Sequence, residues 1–293
     1  AQRKSAGQET GQQEPGPPEE DHRQEAQRSV RVGMRIAILS DVHGNLEALE
    51  SVLVAIHREG VDRLVVLGDV VGYGPDPVAC IYRIREAEGL CVLGNHDQAL
   101  IDPARVHELN FMARDTLLRS HDMVGTEELA YLRTFAFRHT ESDAVFTHAN
   151  PLEPEKWQSL YLFEHIEWCL AGLDARVAFV GHTHYPGIYC RIDSASVPLT
   201  SSEVAIGRHR YLVNVGSVGQ PRDGDPRSSF ALWNVEDDHV ELRRVEYSVS
   251  RTQEKIHALG WPSYVADRLA RSRILRPRPF HKLWNQPAVS NWR

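Results

Sequence analysis

Cysteine is scarce in this chain and nowhere paired in sequence. Cys80, Cys91, Cys169 and Cys190 form no C-x-x-C motif, which argues against a zinc–thiolate site and against a disulfide scaffold. Reduced thiols in a cytoplasmic protein are the simplest reading. Long apolar runs are also missing. None approaches the ~20 residues of a membrane span, and the first residues lack the charged-then-apolar order of a secretory signal. Basic excess is absent as well: 33 Lys and Arg face 40 Asp and Glu, for a net charge of −7. Generic nucleic-acid binding through a basic surface is therefore not expected. No stretch matches a Walker phosphate loop, and there is no internal repeat.

What is present is an ordinary globular composition, 42% hydrophobic and 25% charged, on 293 residues. That is enough to bury a sizeable core. The segment through Gly33 is rich in Gln, Glu, Pro, Gly and Arg. It has too little apolar surface to offset its ordering entropy, so disorder is expected there. It is either a natural extension or a stretch preceding a translation start at Met34.

From Met34 the pattern is strand, helix, strand, helix, strand. Met34–Ser40 is a short apolar run suited to a buried strand. Asn45 can cap a helix with Leu46, Leu49, Val52, Leu53 and Ile56 on one face. Arg63–Leu67 and Leu90–Leu93 read as the next strands, with a helix between them. This order implies a largely parallel, covered sheet. Helices are expected over Ala104–His121 and Thr126–Phe135, and strands over Ala144–His148 and Val177–Gly181. After Tyr185 the texture changes to short strands between turns, expected to form a second, more antiparallel sheet.

Residue types that bind metals follow these strands directly. Asp41-Val42-His43 follows the first, Gly68-Asp69 the second and Gly94-Asn95-His96-Asp97 the third. His148 and Gly181-His182-Thr183-His184 follow two later ones. Residues two apart at an extended strand end point to one side, so each i, i+2 pair can reach one ion. In open α/β sheets ligands collect at the carboxyl ends of strands. The fold would thus gather all five clusters. Imidazoles, carboxylates and one amide, with no thiolate, suit Mn, Fe, Zn, Co or Ni.

The blocks D-x-H, G-D, G-N-H-D, H and G-H-x-H, in that order, resemble the calcineurin-like metallophosphoesterase superfamily from about Met34 to Tyr247. The stretches G-D-V-V-G-Y-G-P-D-P and N-V-G-S-V-G-Q-P-R-D-G-D-P-R are similar to its bacterial-type predicted phosphodiesterases. The resemblance implies an α/β fold, a four-layer α/β/β/α sandwich of two mixed sheets flanked by helices. The domain would occupy residues 34–250, with a peripheral helical segment and tail over 251–293. It further implies two divalent ions. Asp41, His43, Asp69 and His184 would hold one; Asp69, Asn95, His148 and His182 would hold the other. A hydroxide between the ions would attack phosphorus in line. His96, oriented by Asp97, would serve the leaving group.

Each residue also has a plainer reading. Asn45 is either a helix cap or a group facing the site. Arg222 either contacts a substrate phosphate or pairs with Asp223 or Asp225. Tyr73 and Tyr185 lie beside ligand loops and could line the pocket. The expected activity is hydrolysis of small phosphoesters, by a phosphodiesterase or a broad phosphatase. The phosphoprotein phosphatases of the superfamily carry G-D-x-V-D-R-G, and Tyr73 stands here in place of that arginine. With Arg222 as the one nameable cation, a singly charged diester is favoured over a dianionic monoester. The alternatives are a protein phosphatase, or a non-catalytic scaffold on the same fold, which would be expected to have lost ligands.

Overall fold

The computed structural model describes residues 33–141 and 143–272. Gly33 apart, the N-terminal segment expected to be disordered lies outside them, as does the Pro- and Arg-rich tail. β1 (Arg35–Leu39) is buried over its last four residues. Ile36 and Ile38 point into one apolar cluster, Ala37 and Leu39 into another. A strand buried on both faces is the signature of a sheet covered on both sides. α1 (Leu46–Glu59) lays Leu49, Val52 and Ile56 on the sheet and stops at Gly60, whose φ of 60° is left-handed. A helix commonly ends this way, because glycine adopts that conformation without a Cβ clash.

The chain continues through β2 (Arg63–Val66), α2 (Pro77–Glu86), β3 (Leu90–Cys91), α3 (Asn95–Ile101), α4 (Phe111–His121) and α5 (Thr126–Leu132). Next come β4 (Arg138–Glu141), β5 (Ala144–Thr147), α6 (Phe163–Gly172) and β6 (Val177–Val180). β7 (Gly187–Ile192), β8 (Ala195–Leu199), β9 (Glu203–Ala205), β10 (Arg210–Asn214), β11 (Ser228–Asn234) and β12 (His239–Val245) follow. Two helices close the described chain, α7 (Val249–Ala258) and α8 (Ser263–Arg271).

These strands form two six-stranded sheets, ordered β3-β2-β1-β11-β12-β9 and β4-β5-β6-β10-β7-β8. Both are mixed. β1 runs parallel to β2 and antiparallel to β11, while β10 runs parallel to β6 and antiparallel to β7. The two mixed sheets that the resemblance implies are present, whereas the reading of a largely parallel early sheet and a more antiparallel late one is corrected. The late strands divide, extending each early sheet on its open edge. The sheets pack through Ile38, Leu67, Phe146, Phe179, Val213 and Trp233, with the Phe146 and Phe179 rings stacked at 5.3 Å. Leu49, Val52, Ile81 and Ile84 pack one outer face, and Ile166, Cys169 and Leu170 of α6 pack the other. The result is the four-layer α/β/β/α arrangement.

The stretch expected as one helix over 104–121 is a 3-10 turn, Pro103–Glu108, followed by α4. Asn110 starts α4 anew, its side chain accepting from the Ala113 amide at 3.1 Å. The four cysteines are unpaired. Among the described residues no helix is long and apolar enough to cross a membrane. The C-terminal helices do not sit apart. Lys255 of α7 bridges Glu47 (2.6 Å) and Asp76 (2.8 Å), and the Thr252 hydroxyl donates to Asn45 at 3.0 Å.

Candidate metal centre

The loops leaving the carboxyl ends of β1, β2, β3, β5 and β6 bring the seven expected ligand residues together. The i, i+2 pairs converge differently from the extended geometry anticipated for them. Asp41 (φ 56°), His43 (49°), Asp69 (53°), His182 (63°) and His184 (62°) are all left-handed. That conformation costs a non-glycine residue of order 1–3 kcal/mol and persists where surroundings enforce it. Here the enforcement is a backbone ladder between loops. The Asp41 amide donates to Gly68 (3.0 Å), His43 to Asp69 (2.9 Å) and Gly219 to Asp41 (2.9 Å).

Hydrogen bonds fix the tautomers. Nδ1 of His43 faces the Val71 carbonyl (3.0 Å), that of His184 the Gln220 carbonyl (2.6 Å) and that of His148 the Leu67 carbonyl (2.7 Å). A ring nitrogen against a carbonyl must carry the proton, so in the neutral ring Nε2 keeps a lone pair. Those lone pairs point at one another. Nε2 of His43 lies 3.1 Å from Nε2 of His184. Nε2 of His148 lies 3.1 Å from Asn95 Oδ1, 3.2 Å from His182 Nδ1 and 3.3 Å from Asp69 Oδ2. Asp69 Oδ2 also reaches within 3.7 Å of His43 Nε2, so one carboxylate oxygen joins both halves of the cluster. Its Oδ1 accepts from the His96 amide at 2.8 Å.

Buried acceptors facing acceptors are costly unless positive charge lies among them. Asp41 Oδ1 is buried with no hydrogen-bond partner, 3.1 Å from His184 Nε2. Burial opposes charge on both carboxylates, yet His184 beside Asp41 and His148 beside Asp69 hold them well below the usual range. Burial likewise opposes charge on His148, and the Asp69 carboxylate overrides it, raising His148 to about 9. Burial and that His148 charge push His182 down to about 4. A cluster that draws in a proton so firmly is short of a cation. Its donors fit divalent ions, in the groups Asp41–His43–His184 and Asp69–His148–His182.

The surrounding residues divide into those at the cleft and those behind it. The cleft, about 440 Å³, opens over Asn95, His96 and His182, with Tyr73, Trp157 and Arg222 in its walls. His96 is buried, its Nε2 4.0 Å from Asp69 Oδ2 and its Nδ1 without a partner. Asp97 does not orient it, contrary to expectation. The Asp97 carboxylate accepts from the amides of Val70 (2.9 Å), Val71 (3.3 Å) and Gly94 (3.2 Å), tying the β2 loop to α3. The His96 ring is confined instead by Gly72, where a Cβ would come within 2.3 Å of Nδ1. Gly94 does the same for Asp69, since a Cβ there would lie 2.2 Å from Oδ1.

Asn45 proves to be the cap rather than a cleft group. Its Oδ1 accepts from Ala48 (3.2 Å) and Thr252 (3.0 Å), and its Nδ2 donates to Gly219 (2.8 Å). Tyr73 does border the site, its ring 4.7 Å from that of His43 and 4.9 Å from that of His96. Tyr185 packs edge-on against Tyr161. Arg222 pairs with neither neighbouring aspartate. Asp223 is taken by Arg244 and Asp225 by Arg227.

Sequence reasoning missed Trp157 and Arg268. Trp157 donates to Gln98 at 2.8 Å and lies edge-on to the His148 ring. Only its left-handed φ of 52° distinguishes it, and that is not written in local composition. Arg268 arrives from α8 and sits over the Tyr73 ring.

Residues 34–238 match the calcineurin-like phosphoesterase superfamily domain. Over 240 residues the chain is 34% identical to an uncharacterized protein of Methanocaldococcus jannaschii, spanning 80% of this chain and 96% of that one. The crystal structure of a metallophosphoesterase from Sphaerobacter thermophilus aligns with a TM-score of 0.72 and 36% identity, covering 82% of this chain and 100% of that one. A shorter match, 39% identical over 100 residues, joins 33% of the chain to 34% of a symmetrical bis(5'-nucleosyl)-tetraphosphatase from Pseudomonas syringae.

Proposed function

The chain belongs to the calcineurin-like phosphoesterase superfamily, and from that premise we propose that it hydrolyses small phosphate esters with two divalent transition-metal ions. The carrying observation is the cluster of mutually facing acceptors around Asp69. Asp41, His43, Asp69 and His184 would hold one ion; Asp69, Asn95, His148 and His182 would hold the other. When bound, such a pair polarises a phosphoryl group and lowers the pKa of an attacking water.

The chain's own residues supply the rest. Carbonyl bonds at Nδ1 keep His43, His148 and His184 aimed, as outer partners of ligand histidines do. Tyr73 closes one side of the cleft against water. His96 stands nearest the place of a leaving group. Burial pushes its pKa down to about 3, so at neutral pH it offers a neutral N–H to a departing oxygen rather than an imidazolium proton. A hydrogen bond aimed at developing charge lowers the barrier without a full proton transfer.

The test is turnover of p-nitrophenyl phosphate and bis(p-nitrophenyl) phosphate with Mn²⁺, alongside Asp69→Asn and His96→Ala. Metal-dependent hydrolysis lost in Asp69→Asn is the expected result. Absence of turnover on a broad phosphoester panel would instead favour a binding protein on this fold.

A further inference from the structure

Two guanidinium groups meet at Tyr73. The Arg222 Cζ lies 5.5 Å from the ring centroid and the Arg268 Cζ 5.8 Å. Arg222 borders the cleft, and its Nε and one terminal nitrogen donate to Gln220 Oε1 at 3.4 and 3.0 Å. Arg268 is half-buried. One terminal nitrogen faces Met112 Sδ at 3.3 Å, and its Nε is buried with no partner. Among the described residues neither guanidinium has a carboxylate within ion-pair distance. Burial and the nearby Arg222 charge push Arg268 down to about 10, which still leaves it charged at neutral pH.

Two like charges, partly desolvated and with no counter-ion among the described residues, are unfavourable in an isolated fold. Such an arrangement is stabilised when an anion sits against it. The Tyr73 ring also touches His43 and His96, so the cationic pair stands next to the ligand cluster. We propose that Arg222 and Arg268 form an anion subsite for a phosphate group carrying two charges, making the substrate a phosphomonoester rather than a diester. Arg222, which borders the cleft, touches the phosphate oxygens. Arg268, behind it, is a positioning residue. Its charge opposes retreat of Arg222 from the cleft and adds attraction through a gap of low dielectric. This rests on the hydrolase reading of the same site and assigns its substrate class.

The Mn²⁺-loaded protein, with and without Arg268→Gln, tests the subsite. The expected result is a KM for p-nitrophenyl phosphate raised about tenfold with kcat changed less than about threefold. KM for bis(p-nitrophenyl) phosphate should change less than about twofold, and Arg268→Lys should restore most of the loss. Equal losses on both esters, or no change on either, overturn the proposal. Calorimetric binding of inorganic phosphate to the same proteins reads the subsite without turnover. If the wild type cleaves neither ester but Arg268→Gln still weakens phosphate about tenfold, the hydrolase reading fails and the subsite stands. Phosphate binding unchanged by the substitution overturns the subsite whatever the turnover. Should Arg268→Gln not fold, Arg222→Gln carries the same comparison, and its phosphate affinity decides.

Discussion

The two sides of the cleft have opposite deficits. Around Asp69, imidazole nitrogens and carboxylate oxygens crowd together with more acceptors than protons among them. Around Tyr73, guanidinium groups face one ring with no carboxylate among the described residues to receive them. A globular core arranged for stability alone would have paired the two sets. Keeping them apart costs folding free energy, and a phosphoester bound to metal would satisfy both at once. The contrast also separates two kinds of positioning. The acceptor side is held by strand-end loops and backbone bonds. The cation side depends on a helix from the far end of the described chain.

Breaking the acceptor side should have the largest effect. Asp69→Asn removes the shared oxygen's charge, so turnover should fall by at least about a thousandfold, or ~4 kcal/mol of barrier. Metal content by mass spectrometry should fall with it. Unchanged metal content would mean that the two halves bind independently of Asp69.

The same side should bind metal more tightly as pH rises. His148 is raised to about 9, above its ordinary value near 6.5. In the metal-free chain its protonation contributes stability below about pH 6.5 and that contribution is lost as pH rises through about 9. A bound ion must displace that proton. Mn²⁺ affinity should therefore climb about tenfold per pH unit up to about 9 and flatten above. Calorimetry near pH 7.5, in buffers of different ionisation enthalpy, should register release of about one proton. No release would mean the ion does not take the His148 lone pair.

Gly72→Ala should act between the two sides. Its φ is 87°, and a Cβ would press on His96 Nδ1. Stability should drop by about 1–3 kcal/mol. Displacing the ring should also lower kcat by roughly the factor lost in His96→Ala, on the order of a hundredfold. Because both changes act on one ring, the double variant should be no slower than His96→Ala alone. Additive losses would show that Gly72 serves something else.

How much of this was legible in sequence follows the same divide. The candidate ligand residues could be found because each follows a short apolar strand, and strand ends are local features. The left-handed turns that aim them were not legible, since the enrichment of Asp and His at positive φ is too weak to mark single positions. β4 escaped notice because Arg138–Glu141 is a polar edge strand, paired on one side only, with no apolar alternation. Division of the late strands between both sheets depends on nonlocal pairing. Arg268 was unreadable for the same reason. Nothing within α8 says that its arginine meets a tyrosine after β2.

The smallest effect tests whether the boundary between these regions is structural. Asn45 uses both ends of its amide on protein, capping α1, holding Gly219 and receiving Thr252. Asn45→Ala should remove a cap worth about 1 kcal/mol, and the buried Thr252 hydroxyl would lose one of its acceptors. Glu47 Oε2, at 3.1 Å, remains for that hydroxyl, so the total should stay near the low end of buried-group losses. Denaturant midpoints should fall accordingly. KM for any cleaved ester should change less than about twofold, because no contact to substrate is removed. A large rise in KM with an unchanged midpoint would put Asn45 back among the groups that face the cleft, and would move the boundary of the acceptor side one residue beyond Gly44.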